Sequence, residues 1–125
     1  MSFRILDVGQ CGFDGPRIEG LLQSKLSATV DRAATGADAR RQLAAHRYDV
    51  VLVNRVLAVD HASGVDLIAE LAAGQDAPPF MLVSDRADAQ EAAVAAGAVP
   101  GFGKAALGDP ETYELIRQAA TTGRP

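Results

Sequence analysis

The chain alternates short apolar runs with stretches in which apolar residues recur every three or four positions. Phe3-Arg4-Ile5-Leu6-Asp7-Val8 predicts a first strand. After Pro16, a favourable residue for a helix's first turn, Ile18, Leu21, Leu22 and Leu26 repeat at helical spacing. A second strand is expected around residues 28–32. Thr35, followed three positions later by Asp38, resembles a capping box and opens a helix that turns Ala39, Leu43 and Ala44 inward. Tyr48-Asp49-Val50-Val51-Leu52-Val53 is the clearest strand, and its continuous β-branched run suits a strand covered on both faces. Ser63 and Asp66 open a third helix carrying Val65, Leu67, Ile68 and Leu71, and Pro78-Pro79 ends that connection. A fourth strand is expected over residues 80–84, and an alanine-rich helix over 86–96 that stops at Gly97. A short strand near 99–103 precedes a last helix with Asp109 as N-cap, Pro110 in first position and Glu111 beside the positive end. Leu115, Ile116 and Ala119 form its buried stripe.

Strands and helices in strict alternation predict the α/β class: a doubly wound, five-stranded parallel sheet with five helices and right-handed crossovers. We assign residues 1–120 to one domain and residues 121–125 to a frayed tail or truncated linker. Folds of this kind place ligands at the carboxyl ends of the strands, near the switch in strand order. The segments to interrogate are therefore 9–12, 54–60, 84–86 and 103–105.

Composition narrows the function. The 125 residues are 48% hydrophobic and 22% charged, as in a soluble globular protein. Twelve basic against sixteen acidic residues give a net charge of -4, which argues against a nucleic-acid partner. No apolar run approaches the roughly 20 residues of a spanning helix, so no membrane is expected. The opening MSFRILDV is no signal peptide. One cysteine, Cys11, forms no internal disulfide, and a cytoplasmic location is expected. Aromatic residues are 5% and tryptophan is absent, so no platform for stacking bases is visible.

Over essentially its whole length the chain resembles the receiver domain of response regulators, with their flavodoxin-like topology. The stretches that carry the likeness are Tyr48 to Leu57, Ser63-Gly64-Val65-Asp66-Leu67, Phe80 to Ser84, Gly97-Ala98 and Gly103-Lys104. The resemblance implies bacterial two-component signalling and a pocket of five positions. An acidic pair after the first strand holds Mg²⁺, an aspartate ending the third accepts the phosphoryl group, a threonine or serine ends the fourth, and a lysine ends the fifth. Here the acidic pair is matched by Gly9 and Gln10, the phospho-acceptor by Asn54, and only Ser84 and Lys104 remain. A neutral amide forms no stable acyl phosphate. Mg²⁺ seeks hard, preferably anionic oxygens, which Gly9 and Gln10 do not offer. The expectation is a pseudo-receiver: not an enzyme, with no cofactor and no metal. It would bind a signalling protein or a second copy of itself through the fourth helix, fifth strand and fifth helix.

Three further expectations follow. Lys104, deprived of its phosphoryl or carboxylate partner, would form a fixed ion pair with Asp7 or Asp85. Phe102 matches the family's switchable aromatic and, with no phosphoryl group to sense, would rest in one state. The loop after Asn54 is longer than the family's and lacks its proline. Its Asp60 and His61 read as a solvated tip, although the same pair could serve a metal or acid–base site. His46 reads as a helix-terminal cation or solvent-facing residue.

A rival reading starts at Cys11. Five residues separate Cys11 from Arg17, the spacing of cysteine-dependent low-molecular-weight phosphatases, whose loop lies between a first strand and first helix. A helix N-terminus and a guanidinium would activate the thiol and cradle phosphate, with Asp109 before Pro110 as general acid. Asp14 inside that loop and Ile18 after Arg17 count against it, as does the short chain. A third reading is a small-ligand sensor in the vacated pocket.

Overall fold

The computed structural model describes residues 3–122. The elements run β1 (Arg4–Val8), α1 (Asp14–Leu26), β2 (Thr29–Ala33), α2 (Gly36–Ala45), β3 (Val50–Asn54), α3 (Gly64–Ala72), β4 (Phe80–Val83), α4 (Ala87–Ala95), β5 (Val99–Phe102) and α5 (Pro110–Thr122). A short 3-10 helix, Lys104–Ala106, lies between β5 and α5. The five strands form one parallel sheet in the order β2-β1-β3-β4-β5. Strand order therefore reverses between β1 and β3, which fixes the switch point beside Val8 and Asn54.

Because successive side chains on a strand point to opposite faces, the inner strands feed two cores. Ile5, Val50, Leu52, Met81 and Val83 pack with Ile18, Leu22 and Leu26 of α1 and with Tyr113, Ile116 and Ala120 of α5. Leu6, Val8, Val51, Val53 and Leu82 pack on the other face with Ala39, Leu67, Ile68 and Ala93 of α2, α3 and α4. Each fully buried large side chain of this kind contributes roughly 1.5–3 kcal/mol.

Local signals act as the sequence predicts at several boundaries. Thr35 and Ser63 accept the backbone N–H groups of Asp38 and Asp66, and Gly97 ends α4 at φ +117°. Some boundaries differ. Tyr48 and Asp49 approach β3 rather than belonging to it, and Asp49 instead accepts the backbone N–H of Arg4 at 2.8 Å. Ala44 faces solvent, so α2 buries a narrower stripe than its alanine content suggested. Thr121 and Thr122 continue α5, with the Thr121 hydroxyl donating to the Arg117 and Gln118 carbonyls. The rest of the proposed tail, residues 123–125, lies outside the described residues, as do residues 1 and 2. Among the described residues no helix is long and apolar enough to cross a membrane.

Candidate functional site

Asn54 closes β3 at the switch point, and its side chain is committed inward. Its amide nitrogen donates to the Gly9 carbonyl at 3.2 Å and to the Val56 carbonyl at 2.8 Å. Both amide hydrogens are thus engaged by backbone, one across the gap between β1 and β3. Gly9 follows β1 with φ +80°, donates to the Ala33 carbonyl and also accepts from Ala58. A Cβ at Gly9 would run into the side chain of Leu57, and one at Gly64 would overlap the Asn54 carbonyl oxygen. At the switch point the Asn54 amide and the Leu57 side chain therefore pack directly against Gly9. Gly9, Gln10 and Asn54 do not fit Mg²⁺. Among the described residues, no cluster of three or more His, Cys, Asp or Glu side chains is placed to hold a metal ion.

Next to Asn54 and Gly9, on the α1 and α5 side of the sheet, lies a second polar group. Asp7 is 1% exposed and accepts from Gln10 Nε2 at 3.1 Å. Burial pushes its carboxyl up to about 7, against the pull of Gln10, Arg32 and Lys104. Lys104 pairs with neither carboxylate expected from sequence: its ammonium lies 2.8 Å from Asp14 Oδ2. The reason is where α1 begins. With Asp14 as its first residue, that carboxylate reaches the end of β5, while Asp85 turns to accept the backbone N–H of Ala105 at 3.2 Å. The Lys104 hydrogen bond holds the Asp14 carboxyl below its ordinary range. The signal for Asp14 in the sequence is its acidic side chain at the start of α1.

Ser84 accepts the backbone N–H of Arg86 at 3.1 Å, and its own N–H donates to Phe102. Gln90 of α4 ties this corner together: its amide donates to the Leu82 and Ser84 carbonyls, and its oxygen accepts from Gly101. Phe102 is buried in the α1–α5 core among Leu107 and Tyr113. Its ring points inward in this structure.

Beyond Asn54 the chain forms a small closed loop. Val56 and Ser63 make an antiparallel bridge, Leu57 and Ala62 share a hydrogen bond, and Asp60 accepts the Ala62 N–H. His61 sits at the tip with φ +60°. This loop and the start of α4 flank a cleft of about 420 Å³ that includes Arg55, His61, Ser63 and Arg86. His46, at the end of α2, stands edge-on to Tyr48 in exposed surroundings.

The Cys11 loop has a different geometry from a phosphate cradle. Only Gly12 and Phe13 separate Cys11 from α1, so Arg17 is already inside the helix and exposed. The thiol donates to Asp14 Oδ2 at 3.5 Å and accepts the Asp14 N–H at 3.3 Å, which places a carboxylate where an anion would sit. Asp109 precedes α5 and accepts the Thr112 N–H through its backbone carbonyl.

No family model matches the chain, and no curated protein matches it. Solved structures do. A Chloroflexus aurantiacus protein described as a response regulator aligns over 96% of this chain and 98% of its own, with 18% identity and TM-score 0.83. The signal receiver domain of a DNA-binding response regulator from Colwellia psychrerythraea 34H aligns over 93% and 96%, with 21% identity and TM-score 0.77. NtrX of Brucella abortus, solved in complex with ATP, aligns over 98% of this chain but 28% of that one, with 18% identity and TM-score 0.82. At these identities the likeness concerns architecture, and the architecture is that of a response-regulator receiver domain.

Proposed function

We propose that the chain is a receiver-type signalling module that acts by binding a partner, without accepting a phosphoryl group. One observation carries this reading: the side chain at the end of β3 is an amide, and both its hydrogens are bound by the carbonyls of Gly9 and Val56. No carboxylate oxygen is there to attack phosphorus, and the neighbouring Gly9 and Gln10 supply no anionic seat for Mg²⁺. Gly9, Gln10, Asn54, Ser84 and Lys104 are then a dismantled pocket, and Phe102 is an aromatic held inward with no phosphoryl group to report. The partner would be another signalling protein or a second copy, met in the cytoplasm, with α4, β5 and α5 as the contact face by analogy with receivers. The receiver architecture supports this class of role over a catalytic one. The phosphatase reading is disfavoured by the Asp14 carboxylate on the Cys11 thiol.

Incubation with a small-molecule phosphoryl donor and Mg²⁺, followed by intact-protein mass measurement, tests the proposal. Unchanged mass supports it, and a magnesium-dependent phosphoryl adduct on an aspartate of this cleft overturns it. Hydrolysis of an aryl phosphate that disappears in Cys11→Ser would favour the enzyme instead.

A further inference from the structure

Beside the Asn54 end of β3 lies an open cleft. Arg55 follows the last residue of β3 and Arg86 lies three residues beyond the last residue of β4. These strands are adjacent in the sheet, so two guanidinium groups hang from neighbouring strand ends over one cleft of about 420 Å³. That volume lies in the range of small-molecule sites, roughly 300–1,000 Å³.

The walls are built before any ligand arrives. One wall is the loop closed by the Val56–Ser63 bridge and by the bonds from Leu57 to Ala62, His61 to Leu57 and Gly64 to Arg55. His61 is held there at φ +60°, a conformation that costs a non-glycine residue energy. The other wall is the first half of α4, fixed to β4 and β5 by Gln90. Ser63 Oγ accepts the Asp66 N–H, which leaves its hydroxyl hydrogen free to donate.

Charge and surface chemistry specify the class of ligand. Arg55 is exposed and has no acidic partner among the described residues. Arg86 is paired with Asp88, the one acid in the lining. The two arginines and Asp88 together contribute one net positive charge to the lining, in a protein whose total is -4. Val56, Val65, Ala89 and Ala92 supply apolar surface beside these groups. A guanidinium fork matches the oxygens of a phosphate or carboxylate, and the aliphatic wall suits a flat apolar body.

We infer that this cleft binds a small organic anion, an apolar or aromatic body carrying one phosphate or carboxylate, held by Arg55 and Arg86. Such a site would let the module respond to a free metabolite without being phosphorylated. It stands independently of the proposed partner-binding role.

The test is an amide-resolved NMR titration of the full chain with phenyl phosphate, with the neutral phenyl glucoside as control. Saturable shifts confined to Arg55, His61, Ser63 and the first turn of α4 are expected, with none from the glucoside. Arg55→Gln with Arg86→Gln should weaken binding roughly tenfold or more, since each charge-assisted bond is worth a large part of such an affinity. Asp88→Asn should tighten it, and Arg47→Gln, at the opposite end of the sheet, should leave it unchanged. All four positions are exposed, so the fold is not at stake. No saturable shift, equal binding by the double variant, or binding of an acidic phosphopeptide but not of phenyl phosphate would overturn the inference.

Discussion

Gln10 donates one hydrogen bond to Asp7, and the two remaining oxygens of the pair, Asp7 Oδ2 and Gln10 Oε1, are buried with no hydrogen-bond partner. A buried carboxylate oxygen that meets no donor is costly while charged, and a proton on the Asp7 carboxyl removes that charge. Burial favours that protonated form and raises Asp7 to about 7 from an ordinary 3.8. Arg32 and Lys104 oppose the shift, and Glu19 reinforces it.

The sign of the linkage follows. Between pH 3.8 and about 7 the folded state holds a proton that the unfolded state has released, so folding stability falls as pH rises through that window. The contribution is complete below the window and lost above it. Asp7→Asn, which keeps the hydrogen-bonding shape without the charge, should flatten this slope and stabilise the protein above pH 7 by on the order of 2–4 kcal/mol. Denaturant melts across the pH range measure it; an unchanged slope in the variant would show that Asp7 titrates normally.

Lys104 and Asp14 invite a smaller effect. Their side chains are 31% and 21% exposed, so water already screens the pair. Lys104→Met should cost less than about 1 kcal/mol, and its clearest signature should be electrostatic. Without the ammonium, the Asp14 carboxyl should titrate nearer its ordinary value, visible in side-chain carboxyl NMR shifts. The lowered carboxyl contributes stability at neutral pH that fades as pH falls through its titration range, and the variant should lack that loss.

Why the sheet was legible and the site only partly so is a matter of range. β3 and β4 announce themselves because continuous apolar runs such as Val50–Val53 are a local consequence of burial on both faces. Caps at Thr35 and Ser63 are equally local, each a side chain reaching three residues ahead. The chemistry of Asn54 could also be read, because a neutral side-chain amide forms no stable acyl phosphate wherever it sits. What could not be read is which groups meet. Lys104 and Asp14 are distant in sequence and come together only because α1 starts at Asp14 and packs beside α5. The cleft beside Asn54 is hidden for the same reason: its two arginines belong to different strand exits.

Gly64 makes a sharp packing prediction. The first residue of α3 lies against the Asn54 carbonyl and donates its N–H to Arg55 at 2.8 Å. A methyl group there meets backbone, which cannot swing aside as a side chain would. Gly64→Ala should destabilise the fold by about 1–3 kcal/mol. Gly20→Ala, at a helical position with open space around its Cβ, should be neutral or slightly stabilising. Paired thermal melts decide this, and equal effects would contradict the close approach.

An aspartate placed at the end of β3 should not by itself create a phosphorylation site. Asn54→Asp replaces two donated hydrogen bonds with a carboxylate facing the carbonyl oxygens of Gly9 and Val56. Like partial charges then oppose each other where donors and acceptors had met, at a cost of about 1–3 kcal/mol while the new group is ionised. That cost should shrink at acid pH, where a protonated carboxyl again offers a donor. The metal seat would still be missing. Gly9 has φ +80° and no room for a Cβ against Leu57, so an aspartate cannot simply be added there to complete an acidic pair. The expected result is therefore a less stable protein whose mass is unchanged by phosphoryl donor and Mg²⁺. Stoichiometric phosphorylation of the single variant would mean that the cleft retains a working magnesium site, and that Asn54 is all that separates this chain from an active receiver.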